Sequence, residues 1–389
     1  MLRPAPDYAG LVAGFAWDVP ERFNIGVDVC DRWALREPGR VAIQEVVGTR
    51  VSEVTFGLLR EGSDRLAAGL RARGVVPGDR VGVLLPQSAA VVIAHAAAYK
   101  LGAIALPLAG LFGPDALRYR LTDAGARVLI TDGAGLSKIE ALRADLPALE
   151  LVVCVDGARG EVSGQEVFGY KVLGYEALLA EAPDGFVAVD TRADDPALMI
   201  YTSGTTGPAK GALHAHRVLL GHLPGFCMMH DFPPRAGDRM WTPSDWAWAG
   251  GLLNATLPSL HFGVPVVACP TFRFEPDAAF RLIAERAITL AFLPPTALRM
   301  LRGVADPRGR FDLSRLRNIA SAGEALGPET FDWAQRALGL TIGEAYGQTE
   351  CNLVVSSCSD LFPARPGAMG KPGPGHDVRI VDGEGPEVP

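Results

Sequence analysis

The sequence predicts an α/β protein: two packed βαβ-type subdomains with mostly parallel sheets covered by helices, followed by the start of a small β subdomain. Three observations carry this. The strand-like runs are short and continuously apolar, as strands buried on both faces should be. Segments with helical spacing separate them, which calls for helices laid over a parallel sheet. The tail from Pro363 onward becomes dense in Pro and Gly. At about 150 residues per domain, 389 residues suit two to three units.

In the first part, Arg80–Pro86 (RVGVLLP), Ala126–Asp132 (ARVLITD) and Leu149–Asp156 (LELVVCVD) read as buried strands. Asp115–Gly125 and Leu136–Leu146 read as the helices between them. Ser88–Leu108 is apolar enough to suggest a membrane span, but His95 and Lys100 interrupt it and Gly102 and Pro107 follow. A span needs about 20 mainly apolar residues, so Ser88–Leu101 is expected to be a buried helix leading into a short strand. A soft boundary falls near Asp184–Asp195, giving a first subdomain over about 1–190 and a second over 191–362. In the second, RMWTPS, VPVVACP, ITLAFLPP and RNIASAGE read as strands, and Asp277–Ala287 and Pro328–Leu338 as helices. From 363 the tail offers one more expected strand, DVRIVD (Asp377–Asp382).

The totals exclude several classes. Apolar residues are 48% and charged residues 21%, enough to build a large core and too apolar for general disorder. The net charge of −7 without a basic cluster argues against nucleic acid as partner. Six cysteines form no CxxC pair, so a zinc site has no support. The N-terminus lacks an apolar core followed by a small-residue cleavage site. A cytoplasmic protein without a transmembrane segment is the expectation; the sequence leaves homo-oligomerisation open.

Tyr201–Gly211, YTSGTTGPAKG, is the segment richest in chemistry. It follows an apolar run and holds Lys210, one of five lysines in the chain. Glycines let backbone N–H groups approach a phosphate, hydroxyls add donors, and a lysine adds a point charge. A polar turn between a strand and a helix is the plainer reading of such a stretch. The Walker loop, G-x-x-x-x-G-K-[ST], does not fit: Lys210 follows Ala209 and precedes Gly211. Nor does a G-x-G-x-x-G open a helix, so a dinucleotide fold is unsupported.

YTSGTTGPAKG followed by LHAH resembles the signature of the acyl-adenylate-forming enzymes, among them acyl-CoA synthetases, peptide-synthetase adenylation domains and firefly luciferases. Three further stretches follow in that family's order: SAGEAL (Ser321–Leu326), EAYGQTE (Glu344–Glu350) and GKPGPGHDVRIVD (Gly370–Asp382). The wording around SDWAW and YGQTE looks most like the medium-chain acyl-CoA synthetases. The resemblance covers essentially the whole chain.

What it implies is a large N-terminal AMP-binding domain using ATP and Mg²⁺, with coenzyme A as co-substrate. A carboxylate would attack the α-phosphate, giving acyl-AMP and pyrophosphate; a thiol would then displace AMP. Thr202, Ser203, Gly204, Thr205, Thr206, Gly207 and Lys210 would hold the β/γ-phosphates. Gly323, Glu324 and Ala325 would lie along the adenine. Glu344, Ala345, Tyr346, Gly347, Gln348 and Thr349 complete the nucleotide site, with Tyr346 stacked on adenine and Thr349 on phosphate. Glu350 would hold the metal, since a carboxylate suits a hard cation bridging phosphate oxygens. Thr205, Lys210 and Glu350 are the expected catalytic set.

For the acid, Leu111, Phe112, Trp246, Trp248, Asn254 and Gly347 are candidate pocket walls, with the two tryptophans expected on one side of a strand. Acetate-specific relatives carry Trp at the place of Gly347, so the glycine implies an acid larger than acetate, medium-chain or aryl. Two other readings stay open: loading of a carrier-protein thiol, and a non-catalytic relative that binds an acyl-adenylate. The family's later elements, a G-D motif that holds the ribose and a small C-terminal domain with an adenylating lysine, have no match here. The expectation is that this chain alone adenylates slowly or not at all.

Overall fold

The computed structural model describes residues 2–157, 166–167, 170–202, 207–270 and 273–385. Two compact units emerge, and they interleave along the chain.

The larger unit comprises Val19–Leu219 and Ser244–Phe272. Its eight-stranded sheet runs, edge to edge, Lys210–Ala215, Pro196–Thr202, Ile104–Pro107, Arg80–Leu84, Val128–Thr131, Leu151–Cys154, Tyr170–Gly174 and Glu166–Val167. The central pairings are parallel. Val81, Leu129, Ile130, Val152 and Val153 are fully or almost fully buried, which explains why these strands read as unbroken apolar runs. The three strands expected in this region are all present, with tighter bounds.

Helices cover the sheet. Ala89–Lys100 is the helix expected within Ser88–Leu101, and ten of its twelve residues are buried. Lys100, fully buried, is held by Asp31 at 2.5 Å and Asp64 at 2.7 Å, with Ser63 Oγ accepting a third bond at 2.8 Å. Two carboxylates make the buried ammonium tolerable. Among the described residues, no helix is long and apolar enough to cross a membrane. Pro114–Ala124 starts with Pro at its first turn and ends on Gly125 in the left-handed conformation, φ 59°, so both ends of this helix are well defined. Within the same unit, Val41–Val47 also pairs with Arg50–Thr55 (antiparallel) and with Val266–Ala268 (parallel).

The other unit comprises Met1–Asp18, Leu220–Pro243 and Arg273–Pro389. Its strands lie in the order Lys371–Pro372, Asn352–Ser356, Ile342–Gln348, Asn318–Ala322, Leu290–Phe292 and Met240–Trp241. Those from Met240–Trp241 to Ile342–Gln348 are parallel neighbours, and the last two pairings are antiparallel. The helix expected at Asp277–Ala287 is Pro276–Glu285. Pro328–Leu338 is helical throughout, with its second half widened into a π turn.

Two expectations fail. Asp377–Asp382 forms no strand: only Val381 makes a single bridge, and Val378, Ile380 and Val381 are exposed. A strand needs a ladder partner, and β-favouring residues alone do not supply one. The turn before it is instead fixed by the N-terminal segment. Trp17 Nε1 donates to the Gly375 carbonyl at 3.2 Å, Tyr8 Oη donates to the Pro372 carbonyl at 2.8 Å, and the Lys371 ammonium sits 4.6 Å from the Tyr8 ring centre. Trp246 and Trp248, for their part, lie on a turn leading into the Ala249–Gly251 helix, so the period-2 argument does not apply.

Candidate functional site

In the larger unit, Thr202 ends the Pro196–Thr202 strand, and Lys210 begins the antiparallel edge strand, directly opposite Thr202. The glycine-rich segment is therefore a hairpin connection, where a strand-to-helix turn was the plain expectation. Ser203, Gly204, Thr205 and Thr206 lie outside the described residues. Gly207 has φ 93°, a conformation that other residues adopt only with strain. Lys210 is exposed at the mouth of the hairpin. Beneath it, Tyr201 is buried, its hydroxyl donating to Asp123 at 2.5 Å. Burial, and then the Asp123 carboxylate, push that phenol well above its ordinary pKa. His216, from the LHAH that follows, is fully buried; its Nδ1 accepts from the Ile25 amide at 3.1 Å, and burial pushes its pKa down to about 4. It is a core residue.

The acid-side candidates divide. Trp248 is 40% exposed, and its ring meets Phe112 edge-on, centroids 5.5 Å apart. Leu111 next to it is exposed. Trp246 is 1% exposed with its indole N–H unpartnered, which is core packing and not an open wall. Asn254 is buried in the π turn Leu252–Thr256.

In the other unit, the strands Asn318–Ala322 and Ile342–Gln348 run parallel, with Ser321 opposite Glu344 and Ala322 opposite Ala345. SAGEAL and EAYGQTE thus emerge at the carboxyl ends of adjacent parallel strands, the position where open α/β sheets bind ligands. Glu344 is buried; its Oε1 accepts from the Leu326 amide at 3.2 Å, so it clamps the turn that carries Gly323, Glu324 and Ala325. Its Oε2 is buried and unpartnered. Gly323, with φ 99°, has open space where a side chain would stand. Glu324 pairs with Arg299 at 2.8 Å on the surface. Tyr346 is 41% exposed, leaving its ring accessible.

Gly347 carries a constraint that the sequence did not reveal. A Cβ there would stand 2.0 Å from the Asn352 carbonyl oxygen and 2.9 Å from Leu353 Cα. The register between the two strands shifts at this point, between Tyr346 and Gly347. Gln348 pairs with Asn352, and Thr349, Glu350 and Cys351 form the tight turn between them. Glu350 is exposed there. No group of three His, Cys, Asp or Glu side chains able to hold a metal occurs among the described residues. A single carboxylate still fits Mg²⁺, which binds through one or two carboxylates and takes its other ligands from phosphate and water.

A family model described as AMP-binding enzyme matches residues 30–389. The chain belongs to the AMP-binding enzyme family. Among its relatives are the mitochondrial acyl-coenzyme A synthetase ACSM3 of Mus musculus, 29% identical, and the acetyl-coenzyme A synthetase of Bacillus subtilis, 30% identical. These matches cover 98% and 95% of this AMP-binding chain, but 65% and 63% of those relatives. Among solved structures, the Brucella canis acyl-CoA synthetase superposes with a TM-score of 0.87 at 31% identity, covering 99% of this chain and 70% of that one. The anthranilate CoA ligase AuaEII, solved with anthranoyl-AMP, gives 0.85 at 29%, covering 96% and 68%.

Proposed function

We propose that this chain is the nucleotide-binding portion of an AMP-forming acid–thiol ligase. The reading rests first on one observation: SAGEAL and EAYGQTE sit in register at the carboxyl ends of neighbouring parallel strands. An oxygen of the acid attacks the α-phosphorus of ATP; the bond to the β-phosphate oxygen breaks and pyrophosphate leaves. The sulfur of coenzyme A then attacks the acyl carbon and AMP departs. The first step brings two anions together, so the protein's work is positioning and charge compensation.

In this reading Thr202, Thr205 and Lys210 hold the β/γ-phosphates that become the leaving group. The exposed Tyr346 ring stacks on adenine, and the Glu344 clamp holds Gly323–Ala325 along its edge. Thr349 contacts phosphate. Mg²⁺ on Glu350 would offset phosphate charge.

The acid proposed is larger than acetate, medium-chain or aryl, lying against Trp248 and Phe112. The resemblance reads Gly347 as leaving room for that acid, although the close approach of the Asn352 backbone gives the glycine a second reason. The relatives' names speak of acyl, acetyl and anthranilate. All six cysteines are free thiols, which suits the cytoplasm. The test is acid-dependent pyrophosphate release over acids from acetate to decanoate and benzoates. Best turnover with acetate would overturn the acid size. A thioester assay with free coenzyme A separates it from a carrier-protein thiol as acceptor.

A further inference from the structure

One helix grips both legs of the phosphate hairpin. Tyr119 and Asp123 lie four residues apart on Pro114–Ala124, hence on the same helix face. Asp123 accepts the hydroxyl of Tyr201, the residue before Thr202, at 2.5 Å. Tyr119 donates its hydroxyl to the carbonyl of Ala209, the residue before Lys210, at 2.9 Å. The two tyrosine rings meet edge-on, centroids 6.2 Å apart. Thr202 and Lys210, the next residue on each leg, are direct pairing partners.

Three features give these contacts weight. Lys210 starts an edge strand with a single sheet neighbour, so its position is only as firm as its one ladder and whatever holds Ala209. The Ala209 carbonyl precedes that strand, and a side chain supplies its hydrogen bond. Asp123 sits in the last turn of its helix, the end where a negative charge opposes the helix dipole. Helix stability does not explain an acid at that place, whereas the bond to Tyr201 does.

We propose that Tyr119 and Asp123 are positioning residues for ATP: they fix the spacing and direction of Thr202 and Lys210 toward the β/γ-phosphates without touching the nucleotide. This rests on the reading of that hairpin as the phosphate grip. It has a specific consequence, because AMP lacks the β- and γ-phosphates. Loosening the hairpin weakens ATP and leaves AMP alone.

The test is calorimetric titration of the whole chain with Mg·ATP and, separately, with AMP. Tyr119→Phe removes one oxygen and one hydrogen bond, so ATP affinity should fall about three- to tenfold with AMP affinity unchanged. Asp123→Ala should give a similar or larger loss, and Asp123→Asn, which keeps an acceptor for Tyr201, should restore most of it. Tyr201→Phe combined with Asp123→Ala should cost no more than either change alone. Lys210→Ala serves as the control for the underlying reading. If it lowers the ATP-to-AMP affinity ratio while Tyr119→Phe and Asp123→Ala leave that ratio at the wild-type value, the positioning role is wrong and the phosphate grip stands. If Lys210→Ala leaves the ratio unchanged, the grip itself is wrong. Equal losses for ATP and AMP in Tyr119→Phe would mark a general structural role and also overturn the proposal.

Discussion

Replacing Gly347 with alanine separates two explanations of that glycine. The new Cβ would start 2.0 Å from the Asn352 carbonyl oxygen and 2.8 Å from its carbon. Real Cβ contacts do not fall below 3.0 Å, so the Asn352 peptide must retreat by about 1 Å. Both atoms are backbone in a paired strand and cannot rotate away as a side chain would. Overpacking of this kind costs about 1–3 kcal/mol, or roughly 2–10 °C in Tm for a unit of this size. The turn bearing Thr349 and Glu350 joins the same two strands, so the movement should reach the residues proposed to hold phosphate and metal. The assay is a thermal melt paired with Mg·ATP affinity and an acid chain-length profile. The expected result is a lower Tm and weaker ATP binding, alike for every acid. An unchanged Tm with loss confined to the longer acids would refute this reasoning and leave pocket volume as the reason for the glycine.

The remaining expectations follow from burial and charge. Lys210→Ala and Glu350→Gln should each lower the adenylation rate about 10²–10³-fold without lowering Tm, as read by pyrophosphate release and a melt. Lys100→Met leaves Asp31 and Asp64 without their buried cation and should cost about 3–5 kcal/mol in urea unfolding, with partial recovery when both acids become Asn. Trp246→Ala should destabilise by about 3–5 kcal/mol, while Trp248→Ala should keep Tm and change the acid profile. Burial holds His95 and His216 at about pKa 4, from 6.5, so on acidification the unfolded chain takes up these protons first. Stability should therefore fall from about pH 6.5 down to 4, by up to ~1.4 kcal/mol per pH unit for each histidine. His216→Asn should flatten that slope in urea unfolding at stepped pH; an unchanged slope would contradict it.

The sequence made the central parallel strands legible because burial on both faces leaves a continuous apolar run, as in VLIT and LVVC. It also showed, in order, the stretches YTSGTTGPAKG, SAGEAL and EAYGQTE that resemble the family's motifs. What it hid depends on partners distant in the chain. Whether Asp377–Asp382 pairs depends on a neighbouring strand that the run itself does not encode. The Tyr119 and Asp123 contacts join residues about 80–90 positions apart, and a tyrosine and an aspartate on a polar helix look like ordinary surface residues. The acid in that helix's last turn was the one local irregularity that could have pointed to them. The demand on Gly347 is likewise invisible until the strand beginning at Asn352 is seen against it.

The central claim is that acid and ATP combine here with release of pyrophosphate. Exchange of labelled pyrophosphate into ATP, measured with and without added octanoate or benzoate, tests it most directly. The account predicts exchange that depends on the acid and disappears in Lys210→Ala. Acid-independent conversion of ATP to ADP and phosphate, or no exchange above the acid-free background with any acid in the panel, would contradict it.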